Sequence, residues 1–140
     1  MTLQQQLENV LQAGDKAFVP YLMAGDGGLG TLKPTMLKLQ QLGVSAIEVG
    51  IPFTDPVADG PVIEQAGERA LAHGVTKKKV LVELQSFAQE IHIPLVIMTY
   101  LNPILAYVID AFARDARLAG VQGLIVPDMP YEERDVIHPA

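Results

Sequence analysis

The sequence predicts an α/β fold in which parallel strands alternate with covering helices, and three observations support that prediction. Short, nearly continuous apolar runs, typical of strands buried on both faces, alternate with segments of helical periodicity. The glycine patterns that bind nucleotide phosphates in doubly wound sheets are absent, which favours part of a TIM (β/α)8 barrel over the doubly wound alternative. A complete barrel usually takes about 250 residues. We therefore expect the 140 residues to supply four β/α units, about half of a barrel.

Apolar periodicity and chain breakers locate the predicted elements. Four compact apolar runs predict strands at residues 17–24, 44–51, 94–100 and 123–126. Apolar residues that recur every three or four positions predict helices at residues 3–11, 34–42, 61–72, 78–91 and 105–119. Residues 52–61 contain three prolines, so this segment is expected to be a rigid loop. The pair Asn102-Pro103 predicts a turn that breaks the chain after the third strand.

The composition excludes several classes of protein. The chain carries 10 Lys and Arg against 16 Asp and Glu, a formal net charge of −6, so binding to nucleic acid is disfavoured. It has no cysteine, which excludes a disulfide scaffold and thiolate chemistry and fits a reducing compartment. No apolar run approaches the roughly 20 residues of a membrane span, and the first residues lack the apolar core of a signal peptide. We therefore expect a cytoplasmic protein.

Glu48 is the most informative polar residue because it lies inside a predicted strand. Side chains alternate along a strand, so Glu48 shares a face with Ala46 and Gly50, whereas Ile47 and Val49 share the other. Partial desolvation between small neighbours raises the pKa of a carboxyl group towards a value useful for proton transfer. The alternative is a structural carboxylate that faces solvent or pairs with an arginine. The residues alone leave both interpretations open.

Other polar residues at the predicted strand ends have simpler interpretations. Asp59 precedes Gly60, Pro61 and a predicted helix, so the residues alone favour a helix N-cap. Asp26 and Asp128 are expected to form turns. The three histidines lack metal-ligand spacing, no lysine ends a strand, and the two serines lie in a strand start and a helix. Acid–base chemistry by carboxylates is the class of reaction that remains.

Residues 47–61 carry a long motif, IEVGIPFTDPVADGP, in which a strand glutamate precedes a proline-rich loop. This motif closely resembles the family of tryptophan synthase α subunits. The segments 18–26, 98–103 and 123–130 resemble the first, third and fourth strands of that family with their following turns. The similarity spans essentially all 140 residues but only the N-terminal half of the family's sequence.

The resemblance implies a TIM barrel that cleaves indole-3-glycerol phosphate to indole and glyceraldehyde 3-phosphate. It implies that Glu48 is the general acid/base. It also implies that Asp59 holds the indole N–H and stabilises positive charge there, which replaces the N-cap interpretation of Asp59. Three side chains are expected to line the apolar indole pocket: Tyr21, Met98 and Ile125.

The resemblance further implies a protein partner. Asp55 and Asn102 fall in regions that face a β subunit in the family, within an assembly of two α and two β subunits. Indole passes to that partner through a tunnel, and the partner carries pyridoxal phosphate. We therefore expect no cofactor and no metal in this chain.

Residues 1–140 are expected to be the N-terminal half of a single TIM-barrel domain. The phosphate-binding glycines, serine and mobile loop of the family lie beyond the matched half. The 140 residues alone are therefore expected to be nearly or wholly inactive, and to self-associate through two open sheet edges. Two alternatives remain: a non-catalytic module that binds a β-type partner, and another barrel enzyme that acts on a phosphorylated substrate.

Overall fold

A computed structural model describes residues 1–138 and has a parallel four-stranded sheet at its centre. The strands lie side by side in chain order: β1 (Tyr21–Met23), β2 (Ile47–Gly50), β3 (Leu95–Met98) and β4 (Val121–Ile125). The helices are α1 (Leu3–Gln12), α2 (Leu32–Gln41), α3 (Pro61–Ala72), α4 (Lys77–Ser86), α5 (Leu101–Tyr107) and α6 (Ile109–Leu118). Short 3-10 helices cover Leu29–Thr31, Ala88–Glu90 and Tyr131–Val136. The predicted alternation of strands and helices is confirmed.

The strand register defines two faces of the sheet. Tyr21 pairs with Glu48, Glu48 with Val96, and Val96 with Gly123. Side chains alternate along each strand, so these four paired residues project to one side of the sheet. The residues two positions later on each strand project to that same side. We call that side the inner face, and its residues are Tyr21, Met23, Glu48, Gly50, Val96, Met98, Gly123 and Ile125. The side that carries Leu22, Ile47, Val49, Leu95, Ile97 and Leu124 is the outer face.

The hydrophobic core lies between the outer face and the helices. Ile47, Val49 and Ile97 have no exposed surface and belong to one cluster with side chains from α2, α4 and α6. Met36, Leu84 and Phe112 are the largest fully buried contributors from those helices. Each such side chain contributes roughly 1.5–3 kcal/mol when it leaves water, so this cluster is the main source of the fold's stability.

Local signals fix the beginnings of two helices. Thr2 accepts a hydrogen bond from the Gln5 backbone N–H, and the Gln5 side chain accepts one from the Thr2 N–H, which completes a capping box. The Thr76 side chain caps α4 by accepting a hydrogen bond from the Lys79 backbone N–H. α1 ends one residue later than predicted, and it buries no residue fully.

The predicted helix at 105–119 is wrong in one respect, because two helices occupy residues 101–118. Val108 separates them with a φ of 76°, a left-handed conformation that ends α5. The predicted turn at Asn102-Pro103 is also wrong. Pro103 lies in the first turn of α5. Backbone N–H groups in the first turn have no carbonyl partner within the helix, so a proline is tolerated there.

Four predicted elements are longer than those observed, and one of them is β3, which covers Leu95–Met98 rather than residues 94–100. β1 is restricted to three residues, although the chain before it runs beside β2: Phe18 O accepts from Ser45 N–H, and Pro20 O accepts from Glu48 N–H. Pro20 cannot donate to a ladder, which explains why regular pairing begins after it. β2 begins at Ile47 rather than residue 44, and α4 ends at Ser86 rather than residue 91.

In the part of the chain that the structure describes, no helix is long and apolar enough to span a bilayer.

Candidate active site

Glu48 lies in the middle of β2 on the inner face, as the alternation of side chains predicts. Its strand neighbours Ile47 and Val49 are fully buried on the outer face, whereas Glu48 itself is only partly buried. Burial raises the pKa of the Glu48 carboxyl above its ordinary value. No salt bridge joins Glu48 to a cation among residues 1–138. The arrangement therefore favours an acid that can exchange a proton over a structural ion pair.

Asp59 lies at the end of the proline-rich loop and is held by Tyr100, which lies between β3 and α5. The Tyr100 hydroxyl donates to Asp59 Oδ1 at 2.9 Å and accepts from the Ala58 backbone N–H at 3.0 Å. The ring of Phe53, from the same loop, packs against Tyr100 with centroids 5.5 Å apart. A single buried residue thus anchors the loop at both of its ends.

Asp59 does not cap the helix that follows it. The N-cap of α3 is Gly60, and no side chain accepts a hydrogen bond from the first turn of that helix. The carboxylate instead accepts a hydrogen bond from the Tyr100 hydroxyl. The interpretation of Asp59 as an N-cap, which the residues alone favour, is therefore wrong, because a tertiary hydrogen bond directs the side chain away from the helix.

Tyr21 lies beside Glu48 in the sheet and reaches towards the carboxyl ends of the strands. Its hydroxyl occupies the space over Gly50, where any Cβ would collide with it. Burial first, and then the charges of Asp59 and Glu48, raise the pKa of the phenol. Because the charges of both carboxylates reach this one hydroxyl, Glu48 and Asp59, the two predicted catalytic residues, lie near the same end of the sheet.

The other predicted pocket residues share that face. Met98 follows Val96 on β3 and is nearly buried, and Ile125 follows Gly123 on β4 with 43% of its surface exposed. Met98 pairs with Gly50 in the register, and Ile125 pairs with Met98. The inner face therefore carries an apolar floor that runs from Gly50 to the edge strand.

Asp55 and Asn102, the predicted partner-facing residues, line one groove. Its cavity volume is about 450 Å³, and Pro52, Phe53 and Lys77 also contribute to its walls. Both predicted residues are exposed. Residues 51–55, at the start of the segment that joins β2 to α3, form one wall of the groove.

Tyr100 and Asp128 make tertiary contacts that the sequence does not predict. Tyr100 stands at a strand end, which is where parallel α/β folds collect their chemistry, but a tyrosine there carries no local signal for a partner 41 residues away. Asp128 lies in a turn, as predicted, and its side chain also accepts a hydrogen bond from the Leu101 N–H at 2.9 Å and so caps α5.

Asp26 does more than stabilise a turn. Its carboxylate pairs with the Arg69 guanidinium through two hydrogen bonds of 2.8 and 2.9 Å. The fork geometry ties the loop after β1 to α3. The bound guanidinium also lowers the pKa of the Asp26 carboxyl, so this residue is ionised and structural.

Residues 1–138 contain no group of three or more His, Cys, Asp or Glu side chains placed to hold a metal ion. The chemistry that the site offers comes from its carboxyl groups. Glu48 has a raised pKa and suits proton transfer, whereas Asp59 accepts a hydrogen bond and suits stabilisation of positive charge. Two carboxyl groups in different environments can serve two different roles in one reaction.

Comparison with known proteins identifies relatives with the same architecture. The profile of the family described as "Tryptophan synthase alpha chain" matches residues 7–140. The tryptophan synthase alpha chain of Bacillus mycoides (strain KBAB4) is 55% identical over 126 residues, which are 90% of this chain and 49% of that relative. Similar alpha chains from other Bacillus strains match over 135 residues, 96% of this chain and 52% of theirs.

Solved structures agree with the sequence relatives. Tryptophan synthase subunit alpha from Legionella pneumophila str. Paris superposes with a TM-score of 0.92 and 40% identity, covering 98% of this chain and 53% of that chain. A tryptophan synthase complex from Pyrococcus furiosus contains a chain with a TM-score of 0.81 and 35% identity, over 86% of this chain and 50% of that one.

The chain spans about half the length of the curated relatives it matches. Its four strands and their helices are the first four β/α units of a TIM barrel, as the sequence predicted. The match covers both the strand that carries Glu48 and the loop that carries Asp59. This chain belongs to the tryptophan synthase alpha chain family.

Proposed function

We propose that the protein carrying this chain is a carbon–carbon lyase of tryptophan biosynthesis, which cleaves indole-3-glycerol phosphate to indole and glyceraldehyde 3-phosphate. Membership of the family supports this reaction. The observation that carries it is the pair of carboxyl groups at one end of the sheet in different environments. The pKa of the Glu48 carboxyl is raised, and the Asp59 carboxylate accepts a hydrogen bond from the Tyr100 hydroxyl. Retro-aldol cleavage of this substrate needs both a proton donor and an anion.

Glu48 is proposed to move the proton. Its carboxyl group gives a proton to C3 of the indole, which turns the ring into an electron-deficient indoleninium. The bond between C3 and the side-chain carbon then breaks, and its electron pair returns to the ring. The hydroxyl on that carbon becomes the aldehyde, and its proton returns to the Glu48 carboxylate. A raised pKa suits a group that must both give and accept a proton near neutral pH.

Asp59 is proposed to accept a hydrogen bond from the indole nitrogen. The positive charge of the indoleninium develops at that nitrogen, so a fixed carboxylate stabilises the transition state more than the ground state. The Tyr100 hydroxyl occupies Oδ1 and fixes the orientation of the carboxylate, which leaves Oδ2 for the substrate. Tyr21, Met98 and Ile125 then supply apolar contacts to the ring from the inner face.

The proposal includes a β subunit as partner, in an assembly of two α and two β subunits. The groove that contains Asp55 and Asn102 is exposed and lies beside the loop that carries Asp59. A partner bound there would contact the same loop that orients a catalytic carboxylate. We expect pyridoxal phosphate only in that partner, because the proposed cleavage uses the carboxyl groups of this chain and requires no cofactor in it.

Residues 1–140 are proposed to form the N-terminal half of one barrel domain in a cytoplasmic protein. The 140 residues contain both proposed catalytic carboxyl groups but span about half the length of their relatives. Binding energy from a substrate's remote phosphate normally positions the reacting part. We therefore propose that the 140-residue piece alone is nearly or wholly inactive.

The test compares indole release by two proteins. One is the 140-residue chain; the other, which we call the joined chain, carries residues 1–140 followed by the second half of the Bacillus mycoides relative. We expect release of indole from indole-3-glycerol phosphate by the joined chain, and almost none by the 140 residues. A joined chain that folds and binds a β subunit without releasing indole would favour the non-catalytic binding module and refute the proposed reaction.

A further inference from the structure

The Tyr21 hydroxyl differs from those of Tyr100 and Tyr107 in having only a weak hydrogen-bond acceptor among residues 1–138. The hydroxyls of Tyr100 and Tyr107 each donate to a carboxylate, Asp59 and Asp115 respectively. Among residues 1–138, the acceptor that faces the Tyr21 hydroxyl is Met23 Sδ, at 4.0 Å. Sulfur of a thioether is a weak acceptor, and this distance is long. The fold therefore gives this donor only a weak partner.

The position of this hydroxyl is built into the sheet. It lies over Gly50, and a Cβ at that position would collide with it, so the glycine creates the space that the hydroxyl fills. Gly50 is two residues beyond Glu48 on the same strand and the same face. The donor consequently lies towards the carboxyl ends of the strands, over the residue that follows Glu48 on the inner face.

The surroundings keep this group a neutral donor. Burial and the charges of Asp59 and Glu48 raise the pKa of the phenol, so it holds its proton throughout the range in which carboxyl groups titrate. Neither carboxylate lies close enough to accept its hydrogen bond in the structure. A partly buried donor that is held only by a thioether sulfur gains free energy when a stronger acceptor binds to it.

We propose that the Tyr21 hydroxyl donates a hydrogen bond to a hydroxyl oxygen on the side chain of the bound substrate, and so selects for a hydroxylated side chain. This inference rests on the proposed function. Indole offers an N–H donor and an apolar ring, neither of which accepts a conventional hydrogen bond from a phenol. The acceptors of the substrate are the hydroxyl oxygens of its side chain and its phosphate, and the phosphate is expected to bind to the second half of the barrel.

The test measures two ligands with the joined chain and its Tyr21→Phe variant. The substrate carries side-chain hydroxyls, whereas indole-3-propanol phosphate has the same ring and phosphate without them. We expect Tyr21→Phe to lower kcat/KM for indole-3-glycerol phosphate about 10-fold, the usual effect of losing one buried hydrogen bond. The Kd of indole-3-propanol phosphate should stay within a factor of two. The matched control is Tyr131→Phe, a change at a tyrosine that is 74% exposed, which should leave both constants unchanged.

Three outcomes would overturn the inference. Equal weakening of both ligands would mean that the phenol only supports the indole ring. A shifted pH profile of kcat in Tyr21→Phe would mean that the hydroxyl acts on Glu48 rather than on the substrate. Unchanged kinetics in the variant would leave the hydroxyl without a role while the proposed function stands. Failure of the unmodified joined chain to release indole would instead refute the proposed function, and the inference with it.

Discussion

The two faces of the central sheet differ sharply in what they carry. On β2, Ile47 and Val49 project to the outer face and are fully buried against helices. Glu48 and Gly50 alternate with them and project to the inner face, where the carboxyl group keeps some contact with solvent. The same four residues therefore supply both the core and the candidate chemistry.

This difference shows how a short strand can serve stability and reactivity at once. The outer face gains from every apolar atom it buries, and the polar side chains buried beside it, Ser45 and Thr99, are hydrogen-bonded. Helices cover the inner face only in places, with α3 near Met23 and α1 near Gly123, and the Glu48 carboxyl group is desolvated only in part. The pKa of Glu48 is raised as a result, without the full penalty of burying a charge. Mutations on the two faces should thus change different quantities.

The largest effect is expected at the inner face, from Glu48→Gln. Loss of the proton-transfer group should lower kcat for indole release by the joined chain by about 100- to 10,000-fold. The matched control is Glu68→Gln, at an exposed position of α3, which should leave kcat unchanged. An activity of Glu48→Gln within a factor of ten of the unmodified enzyme would end the assignment of the inner face to catalysis.

The next effect is expected at the outer face, from Ile97→Ala. Ile97 is fully buried in the core, so its truncation should lower the free energy of unfolding by about 2–5 kcal/mol, through lost burial and a cavity. Urea unfolding of the joined chain measures this change. Val57→Ala serves as the control, because Val57 is 81% exposed. If the two variants unfold at the same urea concentration, the contrast between the faces is wrong.

A smaller effect is expected from Tyr100→Phe, which removes the anchor of the Asp59 loop. Two hydrogen bonds are lost, so we expect a decrease of about 1–2 kcal/mol in stability. We also expect a fall of about 10-fold in kcat, because the Asp59 carboxylate loses its orientation.

Tyr107→Phe is the matched comparison for Tyr100→Phe. Tyr107 donates to Asp115 between α5 and α6, remote from the sheet's inner face. The Tyr107→Phe variant should lower the free energy of unfolding to a similar degree as Tyr100→Phe and should leave kcat unchanged. A similar loss of kcat in both variants would show that general destabilisation, rather than the position of Asp59, limits the reaction.

The smallest effect is expected in the pH dependence of stability. The folded state raises the pKa of Glu48, so it holds that proton more tightly than the unfolded state does. Ionised Glu48 therefore lowers stability at pH values above its folded pKa. This penalty decreases as the pH falls through the folded pKa and is absent below the unfolded pKa. Urea midpoints should accordingly be higher for Glu48→Gln than for the unmodified joined chain at pH 7, and the gap should close in acid. A gap that widens in acid would contradict a raised pKa.

Local patterns account for the parts of the structure that depend on neighbours in the chain. Alternation along residues 47–50 places Glu48 on the inner face, and the Thr2 cap predicts the first residue of α1. The single helix predicted at 105–119 was wrong. Apolar residues recur every three to four positions across Val108, although the helical backbone is interrupted at that residue. Periodicity reports which side chains face the core, and two short helices can present the same faces as one long helix.

The sequence by itself determined the order of strands and helices, the two faces of each strand and the candidate carboxyl groups, because these depend on residues that are close in the chain. Only the tertiary structure decided that Tyr100 holds Asp59, that Asp128 caps α5 and that the Tyr21 hydroxyl lies over Gly50. Each of these contacts joins residues more than 25 positions apart. A hydrogen bond at such a separation depends on the register between strands, and that register is set by packing of the whole sheet rather than by any local preference.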